Sequence, residues 1–224
     1  MKISYRLVII IAIFITCLIT ANVIAVKMIS IGHFTLFAAI FIFPVSYIFG
    51  DILTEVYGYR VARRVIWLGF ICNLIFVCFV WVGQILPSAN AWHNQVAYES
   101  ILGAAPRLLI ASFCGYLTGE FSNSYILSKM KILTRGRWLW SRTIGSTIVG
   151  EGLDTVVFTT VAAFGTPFFV PALMLNQWLG KVLIEAVATP ATYAIVKWLK
   201  QKECIDTYDY KTSYNPFLIT DRGN

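Results

Sequence analysis

The chain has 224 residues, of which 58% are hydrophobic and only 13% charged. Soluble domains carry about a quarter charged residues, so the composition excludes one and fits a single integral membrane domain with no room for a second folded unit. The net charge of +7 is not a nucleic-acid footprint, because the basic residues fall in four groups separated by stretches nearly free of Lys and Arg.

Lys2 and Arg6 precede an uncharged stretch at 7–26. It exceeds the roughly 7–15 residues of a signal-peptide core and is expected to be retained as a first span. Asn22 lies deep within it. A short connection at 27–33 leads to a second span, 34–57, which carries Asp51 and Glu55 one helical turn apart. Arg60, Arg63 and Arg64 then introduce the uncharged third span, 65–86.

The connection 87–106 contains Trp92 and Tyr98, aromatics suited to the headgroup layer, and a short interfacial helix is expected there. The fourth span, 108–128, places Glu120 and Asn123 on one face. After Lys129, Lys131, Arg135 and Arg137 comes the fifth, 139–165, with Thr147, Glu151, Asp154 and Phe158 in a stripe beside Gly150. The connection 166–175 is apolar and contains Pro167 and Pro171. Proline suits a first helical turn, so the last helix is expected to begin at Pro171. The sixth span, 176–196, carries Lys181 and Glu185 on one face, either as an internal salt bridge or as part of a site.

All connections on one side are basic, and the other side holds only Lys27 and Arg107 at helix ends. The positive-inside rule then gives the expected architecture: an all-α integral membrane protein with six transmembrane helices and both termini cytoplasmic. Residues 1–200 form the single six-helix domain, and 201–224 a cytoplasmic tail that is ordered only if it packs on the cytoplasmic face. No internal repeat supports an inverted-repeat transporter. The five cysteines have neither disulfide nor metal spacing and read as packing residues. His33 and His93 lie in connections and form no catalytic or metal cluster.

Six of the eleven carboxylates therefore sit inside spans: Asp51, Glu55, Glu120, Glu151, Asp154 and Glu185. A charge at the bilayer centre costs at least about 2.5–3.5 kcal/mol on insertion scales, and folding in lipid requires no such number. Glu55, near the interface, reads as solvated or paired with Arg60, Arg63 or Arg64. Lys181 alone cannot neutralise the others, so protonation or a substrate's donors must complete the set. The economical explanation is a polar cavity between helices. A carboxylate is acceptor-only and matches two parallel N–H donors, as on the amino-pyrimidinone edge of a guanine-like base. Phe43, Tyr47, Phe121 and Trp178 are candidates to stack on a planar ring.

The run FPVSYIFGDILTEVYG at 43–58, followed by Ala62-Arg63-Arg64, resembles the signature of the queuosine precursor transporters of the vitamin-uptake-transporter-like group. Gly119-Glu120-Phe121-Ser122-Asn123-Ser124, the run from Ser146 to Thr155, and Lys181 with Pro190 agree, so that the resemblance spans about 22–198. It implies six helices and no nucleotide-binding motif or cofactor. It also implies a non-enzymatic importer of 7-deazaguanine bases (7-cyano-7-deazaguanine, 7-aminomethyl-7-deazaguanine or queuine) in the bacterial cytoplasmic (inner) membrane, supplying tRNA modification. The implied partners are a purine-like base and membrane lipid, with no nucleic acid, and a homodimer is compatible. The substrate-binding residues expected are Glu120 and Glu151 as acceptors, with Asn123, Asp154, Asp51, Lys181 and Asn22 supporting them. Two rival readings are a substrate-binding subunit of an ATP-driven energy-coupling-factor importer and an intramembrane aspartyl protease. The protease needs a second intramembrane Asp in a Tyr-Asp context, and here Tyr208-Asp209 lies in the polar tail.

Overall fold

A computed structural model describes residues 4–31, 34–103, 106–165 and 171–218. The expectations for His33 and Pro167, and for most of the connection at 166–175, lie outside the described residues.

Helix α1, Tyr5–Ile24, starts where the Ser4 hydroxyl accepts from the Leu7 amide at 3.1 Å. Its 20 residues span about 30 Å, the thickness of a hydrocarbon core. The chain then forms an antiparallel hairpin, β1 (Met28–Ile31) against β2 (Phe34–Phe37), with Met28 opposite Phe37. This corrects the expectation of one helix over 34–57 and of a purely α fold. A short apolar run rich in β-branched and aromatic residues fits either state until a partner is known, and here 28–31 supplies the ladder.

A 3₁₀ turn, Ala38–Phe41, leads into α2, Phe43–Ile52, with Pro44 in its first turn. The helix widens into a π-turn at Leu53–Tyr57 and breaks at Gly58, whose φ of 86° suits glycine. A Cβ at Gly58 would also stand 2.7 Å from Thr207 Cγ2, so glycine serves both the break and the approach of the tail. Helix α3, Tyr59–Ile85, follows. The expected short helix in the next connection is α4, Gln95–Leu102. Then come α5 (Pro106–Leu133), α6 (Leu139–Ala163) and α7 (Pro171–Glu203), the last beginning at the expected proline.

Four helical stretches are long and apolar enough to cross a membrane: Tyr5–Ile24, Ala38–Tyr57, Tyr59–Ile85 and Met174–Glu203. Helices α5 and α6 match them in length, at 28 and 25 residues, but the acids, amides and hydroxyls they bury lower their mean hydropathy. Leu68, Ile71, Ile75, Phe79 and Val82 stand exposed at spacings of three and four along α3. Such a surface belongs against acyl chains. The chain is a helical, multi-pass membrane protein.

The apolar core lies around the N-terminal half of α1, where Leu7, Ile10 and Phe14 meet Val56, Val65 and Leu199. Helices α5 and α6 form the most extensive helix pair. Their backbones approach because glycines face one another. A Cβ at Gly150 would lie 2.7 Å from Asn123 Cβ and 3.0 Å from the Gly119 carbonyl oxygen.

The tail is ordered by packing. Asp209 accepts from the Tyr59 amide at 2.9 Å and from the Ser128 hydroxyl at 2.7 Å. Arg63 donates to the carbonyls of Ser213 and Asn215, and the Trp67 indole to that of Pro216. Lys129 sits 4.2 Å over the Tyr214 ring. The segment is thus held against the ends of α3 and α5 that carry the basic residues.

Candidate functional site

Four helices bring their polar positions together. Helix α2 contributes Tyr47 and Asp51, α5 Glu120 and Asn123, α6 Glu151 and Asp154, and α7 Gln177, Lys181 and Glu185. Asp51, Glu120, Asn123, Glu151 and Glu185 are fully buried. The glycine seam sets the depth at which α5 and α6 present their acids. At Gly119 an added Cβ would stand 2.5 Å from the Tyr47 hydroxyl oxygen and 2.8 Å from Asp154 Cβ, so α2 and α6 both close on α5 there.

Lys181 is the cation of the group. Its Nζ donates to Glu151 Oε2 at 2.6 Å and to Asp154 Oδ2 at 2.8 Å, and lies 4.8 Å over the Phe43 ring. Of the two readings open for Lys181 and Glu185, the internal salt bridge is the one the structure does not form. The lysine reaches across to α6 rather than along its own helix, because two carboxylates there outbid one. Asn123 Nδ2 donates to Asp51 Oδ1 at 2.7 Å, tying α5 to α2. Glu120 lies within electrostatic range of Glu151, Asp154 and Glu185, and Glu185 within range of Asp51 and Glu151. The acids flagged from depth therefore face one another.

Many of their atoms have no partner inside the protein. Both carboxylate oxygens of Glu120 and of Glu185 are unpaired and buried, as are Asp51 Oδ2, Glu151 Oε1 and Asn123 Oδ1. The hydroxyls of Tyr47, Thr147 and Thr155 and the amide Nε2 of Gln177 are in the same condition. Buried polar groups are ordinarily satisfied, each orphan costing about 1–3 kcal/mol. Their concentration on α2, α5, α6 and α7 sets this part of the bundle apart from the rest of the described interior.

Glu55 belongs elsewhere. It is fully buried, not solvated, and it is bonded by cations of other helices. Arg142 of α6 donates from Nε and Nη2 to its two oxygens at 2.9 and 2.8 Å, Lys200 of α7 approaches to 2.6 Å, and Lys131 of α5 to 3.6 Å. The π-turn carries Glu55 into the bundle, toward cations that are distant in sequence. Asp206 of the tail joins through Lys131 at 2.6 Å and Lys200 at 2.9 Å. Partial burial alone would raise the Asp206 carboxyl, but the two ammoniums win and hold it below the ordinary value of 3.8.

Asn22 is placed apart from the acids. Its amide donates to Asn73 Oδ1 at 2.9 Å and its oxygen accepts from Ser112 Oγ at 3.2 Å. Ser112 is eight residues, about 12 Å, along α5 from Glu120. Of the aromatic candidates, Phe43 and Tyr47 adjoin the acids. Phe121 packs on Trp67 at 5.9 Å, and Trp178 donates to the Ile148 carbonyl on α6. All five cysteines are free and only Cys17 is buried, so Cys78, Cys114 and Cys204 are surface rather than packing residues. Among the described residues no group of His, Cys, Asp and Glu could hold a metal ion.

Sequence reasoning underrated Glu185 and missed Gln177. The available signal was the stripe Gln177, Lys181, Glu185, Thr189, one polar residue per turn of α7, all buried.

The sequence matches the family described as "Putative vitamin uptake transporter" over residues 37–195. It is 32% identical over 160 residues to a Bacillus subtilis protein named "Probable queuosine precursor transporter", covering 68% of each chain. It is 25% identical over 155 residues to an Escherichia coli protein named "Queuosine precursor transporter", covering 69% of this chain and 66% of that one. No solved structure matches. A membrane bundle with an acid-lined interior and this match along most of its length belongs to the vitamin uptake transporter family, and is a transporter rather than an enzyme.

Proposed function

We propose that the protein imports queuosine precursors across the bacterial inner membrane, for use in tRNA modification. The substrates are 7-deazaguanine bases such as 7-cyano-7-deazaguanine, 7-aminomethyl-7-deazaguanine or queuine. Six helices (α1, α2 with its flanking turns, α3, α5, α6 and α7) cross the bilayer as one domain over 1–200. Both termini are cytoplasmic, and the tail, 201–224, lies on that side. The observation that carries the reading is the buried excess of unpaired acceptors on Glu120, Glu185, Glu151 and Asp51. The guanine-like edge presents N1–H and a 2-amino group side by side and so fits one carboxylate with two parallel hydrogen bonds. Phe43 and Tyr47 supply apolar faces beside it. The names of the two relatives point to the same substrate class.

The test is uptake of the labelled bases by the purified chain in sealed vesicles, with Glu120→Gln and Glu151→Gln alongside. Accumulation or facilitated equilibration by the chain alone, lost in both variants, supports the reading. Undiminished uptake in both variants removes these residues from the site. Uptake that appears only with an added ATP-hydrolysing partner makes the chain a substrate-binding subunit instead.

A further inference from the structure

The hydrogen-bonding inventory of the site is lopsided in a way that a neutral base does not correct. This step rests on the proposed function and concerns which member of the substrate class the site takes. The acceptors without a protein partner are both oxygens of Glu120, both oxygens of Glu185, Asp51 Oδ2, Glu151 Oε1 and Asn123 Oδ1. The single ammonium, Lys181, is already divided between Glu151 and Asp154. Among the described residues, the unpaired nitrogen donor on the same side of α7 is Gln177 Nε2, one turn from Lys181 and buried. Tyr47, Ser124, Thr147 and Thr155 add buried unpaired hydroxyls, which are neutral, and that of Tyr47 lies within electrostatic range of Glu151, Asp154 and Glu120.

A 7-deazaguanine ring matches part of this set. Its N1–H and 2-amino group occupy one carboxylate, and its carbonyl accepts from a donor such as Gln177. That leaves the second fully unpaired carboxylate. A nitrile at position 7 is an acceptor and enlarges the excess. A primary alkylamine at position 7 carries three donors and, like lysine, is protonated at neutral pH. It supplies the missing donors and the missing positive charge together.

We propose that the site selects 7-deazaguanines bearing a cationic aminoalkyl arm over those with a neutral substituent. One of Glu120 and Glu185 receives the ring's donor edge and the other receives the ammonium. Glu120 comes from α5 and Glu185 from α7, so the ring and its arm are read by different helices.

The experiment is equilibrium binding to the purified full-length chain at neutral pH. The probes are 7-aminomethyl-7-deazaguanine, its neutral near-isostere 7-hydroxymethyl-7-deazaguanine, and 7-cyano-7-deazaguanine. One charge-assisted hydrogen bond predicts that the amine binds about tenfold or more tighter than either neutral base. In Glu185→Gln and Glu120→Gln, at least one variant lowers amine binding more than cyano binding, and the ratio collapses toward one. The wild-type comparison needs no variant to fold. Equal affinities, or preference for the cyano base, overturn the selectivity and leave import of 7-deazaguanines standing. Binding of none of the three overturns both.

Discussion

Replacing Glu55 by Gln tests how the ion-pair node holds the bundle. The side chain is buried and, among the described residues, is the only anion bonded to Arg142, which is itself buried. Removing one partner of a buried pair costs about 3–5 kcal/mol, because the other charge is left desolvated. Here the loss is partly cushioned. Lys131 keeps Asp206 and the carbonyls of Glu55 and Thr207, and Lys200 keeps Asp206. Arg142 retains the carbonyl of Arg137. The lower end, about 3 kcal/mol, is therefore expected. At about 2–4 °C per kcal/mol for a chain of this size, the midpoint of thermal unfolding in detergent falls by roughly 6–12 °C. Arg142→Met costs less, since Glu55 still has Lys200 at 2.6 Å. The double variant costs less than the sum of the two. A Glu55→Gln midpoint within about 2 °C of the parent refutes the assignment of Glu55 as the hub.

Three further outcomes are expected. Gly150→Ala forces α5 and α6 apart at Asn123 Cβ and the Gly119 carbonyl, costing about 1–3 kcal/mol and abolishing base uptake; a variant with parental melting and uptake contradicts the seam. Because Asp206 is held below its ordinary value, its contribution is complete above 3.8 and is lost as pH falls through the depressed folded value; a spin label at the exposed Lys211 should stay immobilised from neutral pH down to that range and loosen below it, whereas loosening near pH 6 counts against the contact. With Cys78 and Cys114 changed to serine, exposed Cys204 should react with a membrane-impermeant maleimide in inside-out vesicles but not in intact cells, and the reverse pattern inverts the proposed orientation.

Depth along a span was legible in the sequence, and azimuth between spans was not. Hydropathy and charge located the acids, and helical spacing paired Glu120 with Asn123 and Glu151 with Asp154 on their faces. It could not tell that Lys181 turns toward α6, nor that Arg142, 87 residues from Glu55, is the partner of that acid. Neighbours in sequence were the natural guess for both, and the packing of α6 against α5 and α7 overrode it. The hairpin at 28–37 escaped for a different reason. Its apolar residues satisfy a helix and a strand equally, and only the pairing of Met28 with Phe37 decides. Proline chemistry, by contrast, is local, and the start of α7 at Pro171 followed from it.

Where main chain lies against main chain at Gly119 and Gly150, there is no side-chain layer to act as a bearing. Helices α5 and α6 are thereby joined into one plank that neither slides nor splays without losing its fit. The links from Lys181 to Glu151 and from Asp51 to Asn123 are struts between that plank and its surroundings. Helices α2 and α7 are moored to the plank through side chains, so a substitution that cuts either strut loosens its helix while the plank stays whole.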